Sequence, residues 1–398
     1  MPAQVSSSAQ AVPYSRIREL AELAMQLDHP QDPVLRLYFG ESNLPTPPFI
    51  RQAAQRAMDE GFTFYSENAG LPSLRKALAA YYLRKHQVEL DPRTEIVVTA
   101  SGVQALNVAI RCVLNPGDEA IVLTPAWPNG SAIVQMCGAR AVQVAQPLEG
   151  NRYTIDFDAL EAAVTPRTRL LLYTSPSNPL GWVATEDDQR RLLHFTRHHG
   201  LWLMADEVYE RLAYSEPLGT PVPLGAPVPS ILRIATREDA VIAIQSFSKT
   251  YCMTGWRLGW IVARRDLAQR AAELNEFIIS HAASFTQRAA ETALAEGEPT
   301  VTQIVTQLKT NRDFCLQALA KIPGLTVPVP EGAFYLFPRV DGLKDSFGFC
   351  RRLLEETRVG IAPGVAFGAG GEGSVRLCYA SELSILEEAL ARFTRFLR

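Results

Sequence analysis

The chain has 398 residues, 39 Lys and Arg against 42 Asp and Glu for a formal charge of −3, and 47% apolar residues. That length allows one large domain or two with a sizeable buried core, while a near-neutral balance without basic or acidic blocks argues against a nucleic-acid or membrane-surface partner. No apolar run approaches the roughly 20 residues a membrane-spanning helix needs, and six cysteines at 112, 137, 252, 315, 350 and 378, with no CxxC pair, predict free thiols in a reducing cytoplasm instead of a disulfide framework or zinc site.

Met1 to Ala11 is small and polar and lacks the charged and apolar regions of a signal peptide, so residues 1–12 read as a mobile arm. Leu37 to Ser42 ends a strand and enters a connection rich in turns, with Pro45, Pro47 and Pro48. Phe49 to Glu60 then reads as a helix stopped by Gly61. Tyr65 opens a polar loop that runs through Gly70 into a helix near Leu74 and Arg75. Ile96 to Ala100 is a β-branched strand. After it, Ser101, Gly102 and Val103 turn into a helix whose apolar positions Val103, Leu106, Ile110 and Val113 keep helical spacing, closed by Asn115-Pro116-Gly117. A strand, a glycine-containing turn and a helix start make an anion site, because free amides and the helix dipole point at the ligand, although any strand–helix unit supplies one.

Ala120 to Leu123 is a further strand, followed by Pro125-Ala126-Trp127-Pro128. Thr168 to Tyr173 is another and leaves through Ser175-Pro176-Ser177-Asn178-Pro179-Leu180-Gly181. In Arg191 to Gly200, His194 and His198 share a helix face and could chelate a metal, but no acid or cysteine completes a set, so a solvated helix end before a Gly200 cap is expected. Leu201 to Ala205 is a buried strand ended by Asp206-Glu207-Val208-Tyr209, where the aspartate is either a helix N-cap or the partner of a buried cation. Pro217 to Pro229 is proline-rich and reads as a surface excursion.

Val241 to Ile244 breaks into Ser246-Phe247-Ser248-Lys249, with Arg257 eight residues after the lysine. A buried strand ending there gathers an amine, two hydroxyls and a guanidinium that sits among apolar residues and glycines, where an unpaired charge is costly. Leu258 to Ala263 is the next strand. Helices follow from about Asp266 to Phe277 and from Thr286 to Ala320, the second broken near Gly297-Glu298-Pro299. Leu325 to Val329 and Gly332 to Phe337 read as strands, Phe347 to Glu356 as a helix and Val375 to Ala380 as a strand with Arg376 in its middle. The last helix carries Leu383, Leu386, Leu390, Phe393 and Leu397 at 3/4 spacing, with Ser384 and Glu387 as a capping pair.

An amine poised for a Schiff base beside phosphate donors suits pyridoxal phosphate, and the stretch Ser246 to Trp260 resembles the class I/II aminotransferases, the fold-type-I pyridoxal-phosphate enzymes that include the aspartate and aromatic aminotransferases. The resemblance runs from about Leu37 to about Ala380. It implies that Lys249 holds pyridoxal 5′-phosphate as an internal aldimine. Ser101, Gly102, Val103, Ser246, Ser248 and Arg257 would hold the phosphate, and Tyr65 would reach the phosphate of the other subunit in an obligate homodimer with a shared active site. It further implies that Trp127 stacks on the pyridine ring, that Asp206 faces the ring nitrogen, and that Asn178 and Tyr209 contact O3′. The family pattern Pro-x-Asn-Pro-Thr-Gly has Leu180 in place of threonine here; the Asn178 contact needs only the amide. Gly40 and Arg376 would bind the substrate α-carboxylate, the arginine as a bidentate clamp; the other reading of Arg376 is a structural ion pair with a nearby acid.

The alternation of strands and helices implies an α/β fold: a mostly parallel sheet flanked by helices, with ligand residues just past the strand C-terminal ends. Residues 46–285 would form a large cofactor-binding domain, and residues 13–45 with 286–398 a smaller α+β domain built from both chain ends. The expected activity is transfer of an amino group from an α-amino acid to a 2-oxo acid in a ping-pong cycle. A lyase or decarboxylase on the same fold is an alternative. A regulatory module is the weaker one, since only a short polar arm precedes Leu37. In dicarboxylate-specific relatives a cation from the partner chain reads the distal carboxylate; Ser280 to Gln287 lies in the comparable region without Lys or Arg, which points away from strict aspartate specificity.

Overall fold

Among the residues described by this computed structural model, 4–10, 12–214 and 223–397, seven strands form the central sheet. They are β1 (Ile96–Thr99), β2 (Glu119–Thr124), β3 (Arg140–Ala145), β4 (Thr168–Thr174), β5 (Trp202–Asp206), β6 (Val241–Ser246) and β7 (Gly259–Ala263). Their spatial order is β1-β7-β6-β5-β4-β2-β3. Every neighbouring pair is parallel except those made by β7, which is antiparallel to both β1 and β6.

Helices cover both faces, and for that reason the strands read as continuous apolar runs. Side chains alternate between two cores. Leu170 and Leu172 of β4, Met204 of β5 and Ile242 and Ile244 of β6 enter one, with Ala105 and Ala109 of the Gly102–Val113 helix and Leu267 and Ala271 of the Arg265–Ile278 helix. Leu171 and Tyr173, Leu203 and Ala205, and Val241 and Ala243 enter the other, with Leu192 of the Glu186–His199 helix and Ala289 of the Ser284–Glu296 helix. Each fully buried aliphatic side chain contributes about 1.5–3 kcal/mol, so neither face can be left open.

The second core continues into the C-terminal third. Tyr335–Leu336, Val375–Cys378 and Ala362–Pro363 form a three-stranded antiparallel sheet. Leu35–Arg36 pairs in parallel with Val359–Gly360. Leu37 N–H donates to the Gly360 carbonyl at 2.8 Å and Cys378 N–H to the Leu37 carbonyl at 3.0 Å. These bonds hold residues 37–41 against the strand that carries Arg376.

The expected sheet and its flanking helices are present, and the break at Gly297 separates helices Ser284–Glu296 and Glu298–Leu319. Several details differ. The sequence reading omitted β3, whose Arg140 and Gln143 interrupt its apolar pattern; it is an edge strand, paired only with β2. The strands expected at 325–329 and 332–337 shrink to Leu325–Thr326 and Tyr335–Leu336. Pro328, Pro330 and Pro338 lie between or beside them and cannot donate to a ladder. The last helix starts at Leu383, after Glu382, with no side-chain cap; Ser384 is already inside the first turn, so the Ser384–Glu387 capping pair does not form. Asp206 ends β5 before a turn and caps no helix. Residues 217–222 of the expected proline-rich excursion lie outside the described residues. The Gly200 cap forms, with φ 64°, and all six cysteines are unpaired. Among the described residues no helix is long and apolar enough to cross a membrane and no group of three or more potential metal ligands comes together; His199 instead lies 2.9 Å from Glu161.

Gly259 shows how closely the site end of the sheet is built. A Cβ there would lie 2.6 Å from the Gln245 carbonyl oxygen, 2.6 Å from the Gly102 nitrogen and 2.7 Å from the Ser101 carbonyl carbon, all backbone atoms. Gly259→Ala is expected to cost roughly 3 kcal/mol or more in chemical denaturation. Gly255→Ala, whose Cβ meets nothing within 4 Å, should stay within about 0.5 kcal/mol. Equal effects would mean that β7 can move away from the Gly102 turn at little cost.

Candidate active site

The C-terminal ends of β4, β5 and β6 open onto a cavity of about 390 Å³. Thr174 ends β4, Asp206 ends β5 and Ser246 ends β6, and all three line it. Of the residues singled out from sequence, Gly40, Gly102, Val103, Trp127, Asn178, Asp206, Tyr209, Ser246, Ser248, Lys249, Arg257 and Arg376 line this one space. Ser101 and Tyr65 do not.

Lys249 Nζ donates to the Gly40 carbonyl at 2.6 Å and lies 5.7 Å from the Tyr209 ring centre and 5.9 Å from that of Phe334. Removal from water lowers its pKa to about 8. Asp206 is 5% exposed. Among the described residues its carboxylate accepts one hydrogen bond, from Val208 N–H at a long 3.4 Å. Burial raises its pKa to about 7, against that bond and the Lys249 charge. Among the described residues no cation lies within ion-pair distance of Asp206, so the charged form of this buried carboxyl is costly.

The loop that carries Asp206 and Tyr209 is fixed from behind. Glu207 accepts from the Ser230 hydroxyl and Ile231 N–H, both at 2.8 Å. Glu210 accepts from the Tyr81 hydroxyl and lies 2.9 Å from His86 Nε2. Buried Arg211 pairs with Glu298 at 2.8 Å.

At the turn after β1, the Ser101 side chain accepts from Gln104 N–H at 3.2 Å and caps the Gly102–Val113 helix. Its backbone has φ 111°, a costly conformation for a serine. Ser101 therefore shapes the turn while Gly102 and Val103 face the cavity. A Cβ on Gly102 would lie 3.3 Å from Ser246 Cβ. Ser246 and Ser248 hydroxyls are 2.8 Å apart, and Ser248 N–H donates to Ser246 Oγ at 3.1 Å. Arg257 departs from expectation. It is exposed, because the Thr254–Trp256 turn and its own φ of 53° send the chain outward. Its guanidinium donates to the Thr254 carbonyl at the cavity's mouth.

Arg376 is 2% exposed. Among the described residues no carboxylate pairs with it, which removes the structural ion-pair reading. Nη1 donates to Asn178 Oδ1 at 2.9 Å, Nη2 donates to the Tyr38 carbonyl, and Nε is buried without an acceptor. Its guanidinium lies 4.6 Å from the Tyr335 ring centre and 4.9 Å from that of Phe367.

Sequence reasoning missed Tyr335. Its hydroxyl is 2.7 Å from the Tyr209 hydroxyl, and a Cβ on Gly40 would fall 2.2 Å from the Tyr335 oxygen, which is why position 40 carries glycine. Tyr335 belongs to a run readable only as a strand. Ile17, Arg18 and Phe39 also line the cavity; they lie far from Lys249 in sequence and carry no motif. Tyr65 is 91% exposed, edge-on to His281 with ring centres 5.8 Å apart, and does not reach the cavity of its own chain.

The family model described as aminotransferase class I and II matches residues 33–393. A probable N-acetyl-LL-diaminopimelate aminotransferase of Bacillus subtilis is 32% identical over 393 residues, 98% of this chain and 95% of that protein. An aromatic-amino-acid aminotransferase 2 of Thermococcus litoralis is 32% identical over 99% of this chain and 98% of its own length. Among solved structures, a single mutant of Thermus thermophilus aspartate aminotransferase superposes with a TM-score of 0.90 at 30% identity, covering 99% of this chain and 100% of the other.

The raised pKa of Asp206 has a measurable sign. Folding favours its protonated form, so its contribution to stability is present below about pH 4 and is lost as pH rises towards 7. In the ligand-free protein, Asp206→Asn should remove that loss, gaining up to roughly 4 kcal/mol on wild type between pH 4 and pH 8. Thermal melts of both proteins across that range check this, and parallel pH curves would contradict it.

Proposed function

Because the chain belongs to the class I and class II aminotransferases, we propose that it transfers an amino group from an α-amino acid to a 2-oxo acid, using pyridoxal 5′-phosphate held at the cavity around Lys249. The observation that carries this reading is the joint desolvation of Lys249 and Asp206 in one cavity with the acceptor-poor Arg376. These groups fit the cofactor. Asp206 lacks the cation that a protonated ring nitrogen supplies, and the two hydroxyls, the Gly102 turn and Arg257 gather donors where a phosphate needs them. Trp127 would offer a face for the ring, and the Asn178 amide nitrogen and Tyr209 hydroxyl would be the donors for its phenolic oxygen. The bound cofactor supplies an electron sink for charge that develops at the substrate Cα.

The remaining work is done by side chains of this protein. Lys249 anchors the cofactor through its amine and, once displaced, moves a proton at the substrate Cα. Removal from water lowers its pKa to about 8, so the neutral amine is more accessible near neutral pH than that of an ordinary lysine. Arg376 receives the α-carboxylate, with Asn178 and Tyr38 fixing its plane. Amino acid and oxo acid occupy this site in turn, which gives a ping-pong cycle. Tyr335 holds the Tyr209 hydroxyl in position. The exposed rings of Phe64, Tyr65 and Phe277 support a homodimer in which Tyr65 completes the partner's site. We further propose a division into residues 46–285 and a smaller unit from 13–45 with 286–398, and a cytoplasmic enzyme, in keeping with its six free thiols.

Borohydride reduction of the loaded protein should fix the cofactor on Lys249 in peptide maps, and Lys249→Ala should lower kcat by roughly 10³-fold or more. An adduct on another lysine removes the centre of the proposal, and carbon dioxide in place of a 2-oxo acid as product would assign a decarboxylase.

Arg376→Lys should raise KM for amino acid and oxo acid together by about 10- to 100-fold, since one charge-assisted bidentate contact is degraded. Amines without a carboxylate should be much less affected, and the melting temperature should hardly move. An unchanged KM for both acids would sink the clamp.

A further inference from the structure

On the proposed function, from which this inference starts, Asp206 and Tyr209 present a carboxylate and a hydroxyl to the cofactor from a single turn. Behind that turn lies a cluster of buried polar groups, His86, Glu207, Glu210 and Arg211, none of which lines the cavity.

Two adjacent residues at one helix end grip two adjacent residues of the turn. His86 is the last residue of the Pro72–His86 helix, and its Nε2 lies 2.9 Å from Glu210 Oε2. The Tyr81 hydroxyl, from the same helix, donates to Glu210 Oε1 at 2.5 Å. Lys85 and Arg211 share Glu298, each at 2.8 Å. Replacing a buried ion pair by well-packed apolar residues is often neutral or stabilising, so stability does not account for one here.

The surroundings of His86 favour its charged form. A cation at the end of a helix meets the negative end of the dipole. Burial opposes the charge, but the Glu210 carboxylate overcomes it, with help from Glu207 and against Arg233, and the net shift of the His86 pKa is upward. The rings of Tyr81 and Tyr82 lie beside the imidazole, with centres 6.1 and 5.5 Å away.

The grip reaches the cavity through the backbone. Glu210 follows Tyr209 directly, its N–H donates to the Glu207 carbonyl at 3.0 Å, and Glu207 N–H donates to the Ile244 carbonyl of β6 at 2.9 Å. Neighbouring Cα atoms are about 3.8 Å apart, so a displaced Glu210 carries Tyr209 with it.

We propose that His86 is a positioning residue for the reaction: as an imidazolium it anchors the Glu210 carboxylate, and through it holds the Tyr209 hydroxyl and the Asp206 carboxylate where the cofactor's phenolic oxygen and ring nitrogen need them.

The test compares wild type with His86→Gln, which keeps a donor without the charge, and His86→Leu, which keeps neither. Leu390→Ala, a core truncation in the Leu383–Phe396 helix outside the cavity lining, controls for stability alone. In the ligand-free protein, the His86 imidazole signal in NMR, identified among six histidines by its loss in His86→Gln, should titrate above about 6.5, and Glu210→Gln should bring its midpoint below that value. The stability that the pair contributes should be complete below about pH 6.5 and be lost as pH rises through the raised midpoint.

In the loaded protein, the cofactor's absorption band should titrate at higher pH in His86→Leu than in wild type, because a misplaced Tyr209 hydroxyl no longer stabilises the ionised phenolic oxygen. In the same variant kcat should fall by about 10- to 100-fold, the worth of one charge-assisted contact, with KM within about threefold. His86→Gln should lie between the two. Leu390→Ala should lower the melting temperature and leave the band and kcat in place. A His86 midpoint at or below about 6.5 overturns the proposal, as does a His86→Gln that matches wild type in band and kcat, even if His86→Leu fails to fold. A wild type that converts no amino acid loses the aminotransferase reading, and the NMR titration still decides the charge on His86.

Discussion

Asp206, Lys249 and Arg376 are drawn out of water at the end of one sheet, and none has an opposite charge within ion-pair distance among the described residues. Each is expensive in isolation. The rest of the molecule is arranged so that they cannot escape the cost by turning outward. The two-faced apolar sheet puts Asp206 at the end of a strand whose neighbours, Ala205 and Met204, are both fully buried. The strap 38–40 caps Lys249 with a carbonyl and Arg376 with another. Desolvation moves the lysine down towards neutral pH and the aspartate up to it, the two shifts that an acid–base site needs.

Holding such charges in place requires stiffness around them. The turn after β5 is tied at Glu207, Glu210 and Arg211 to three separate elements, reaching Ser230, His86 and Glu298. The bonds of Glu207 and Glu210 are buried and the Arg211–Glu298 pair half-buried, so shifting the turn leaves several polar groups unpaired at once. Burial at that network favours protonated Glu207, whose pKa rises to about 7, while His86 and Tyr81 hold Glu210 ionised. The backbone strain at Ser101 and Arg257 lies at the turn and the mouth where an anion would sit, in keeping with strain stored where ligands bind.

Tyr335 connects the two halves of the cavity. Its hydroxyl meets Tyr209 from the β5 end, its ring lies under Arg376, and its oxygen fills the space that a side chain at position 40 would need. The Tyr209 side and the Arg376 side of the cavity therefore share one aromatic support. A change in either is felt by the other through contact, without any long path.

Much of this was determined by the sequence alone. Apolar runs at 96–100, 120–123, 168–173, 201–205, 241–244 and 258–263 become strands because a sheet buried on both faces tolerates few polar residues, and that demand is local enough to read along the chain. Residues at the strand ends, Asp206, Ser246, Ser248 and Lys249, followed from the same pattern, because a buried strand fixes where its C-terminal residue emerges. What only the tertiary structure decided are the meetings between distant segments. Arg18, Phe39 and Tyr335 converge with Lys249 because Leu35–Arg36 pairs with Val359–Gly360, an association across more than 300 residues that no local spacing encodes. The exposure of Arg257 also escaped the sequence, since apolar neighbours along the chain do not determine which way a left-handed turn points. Local burial propagates along a strand and is written in composition. Convergence in space depends on how separate elements pack, and that is settled only when the whole core closes.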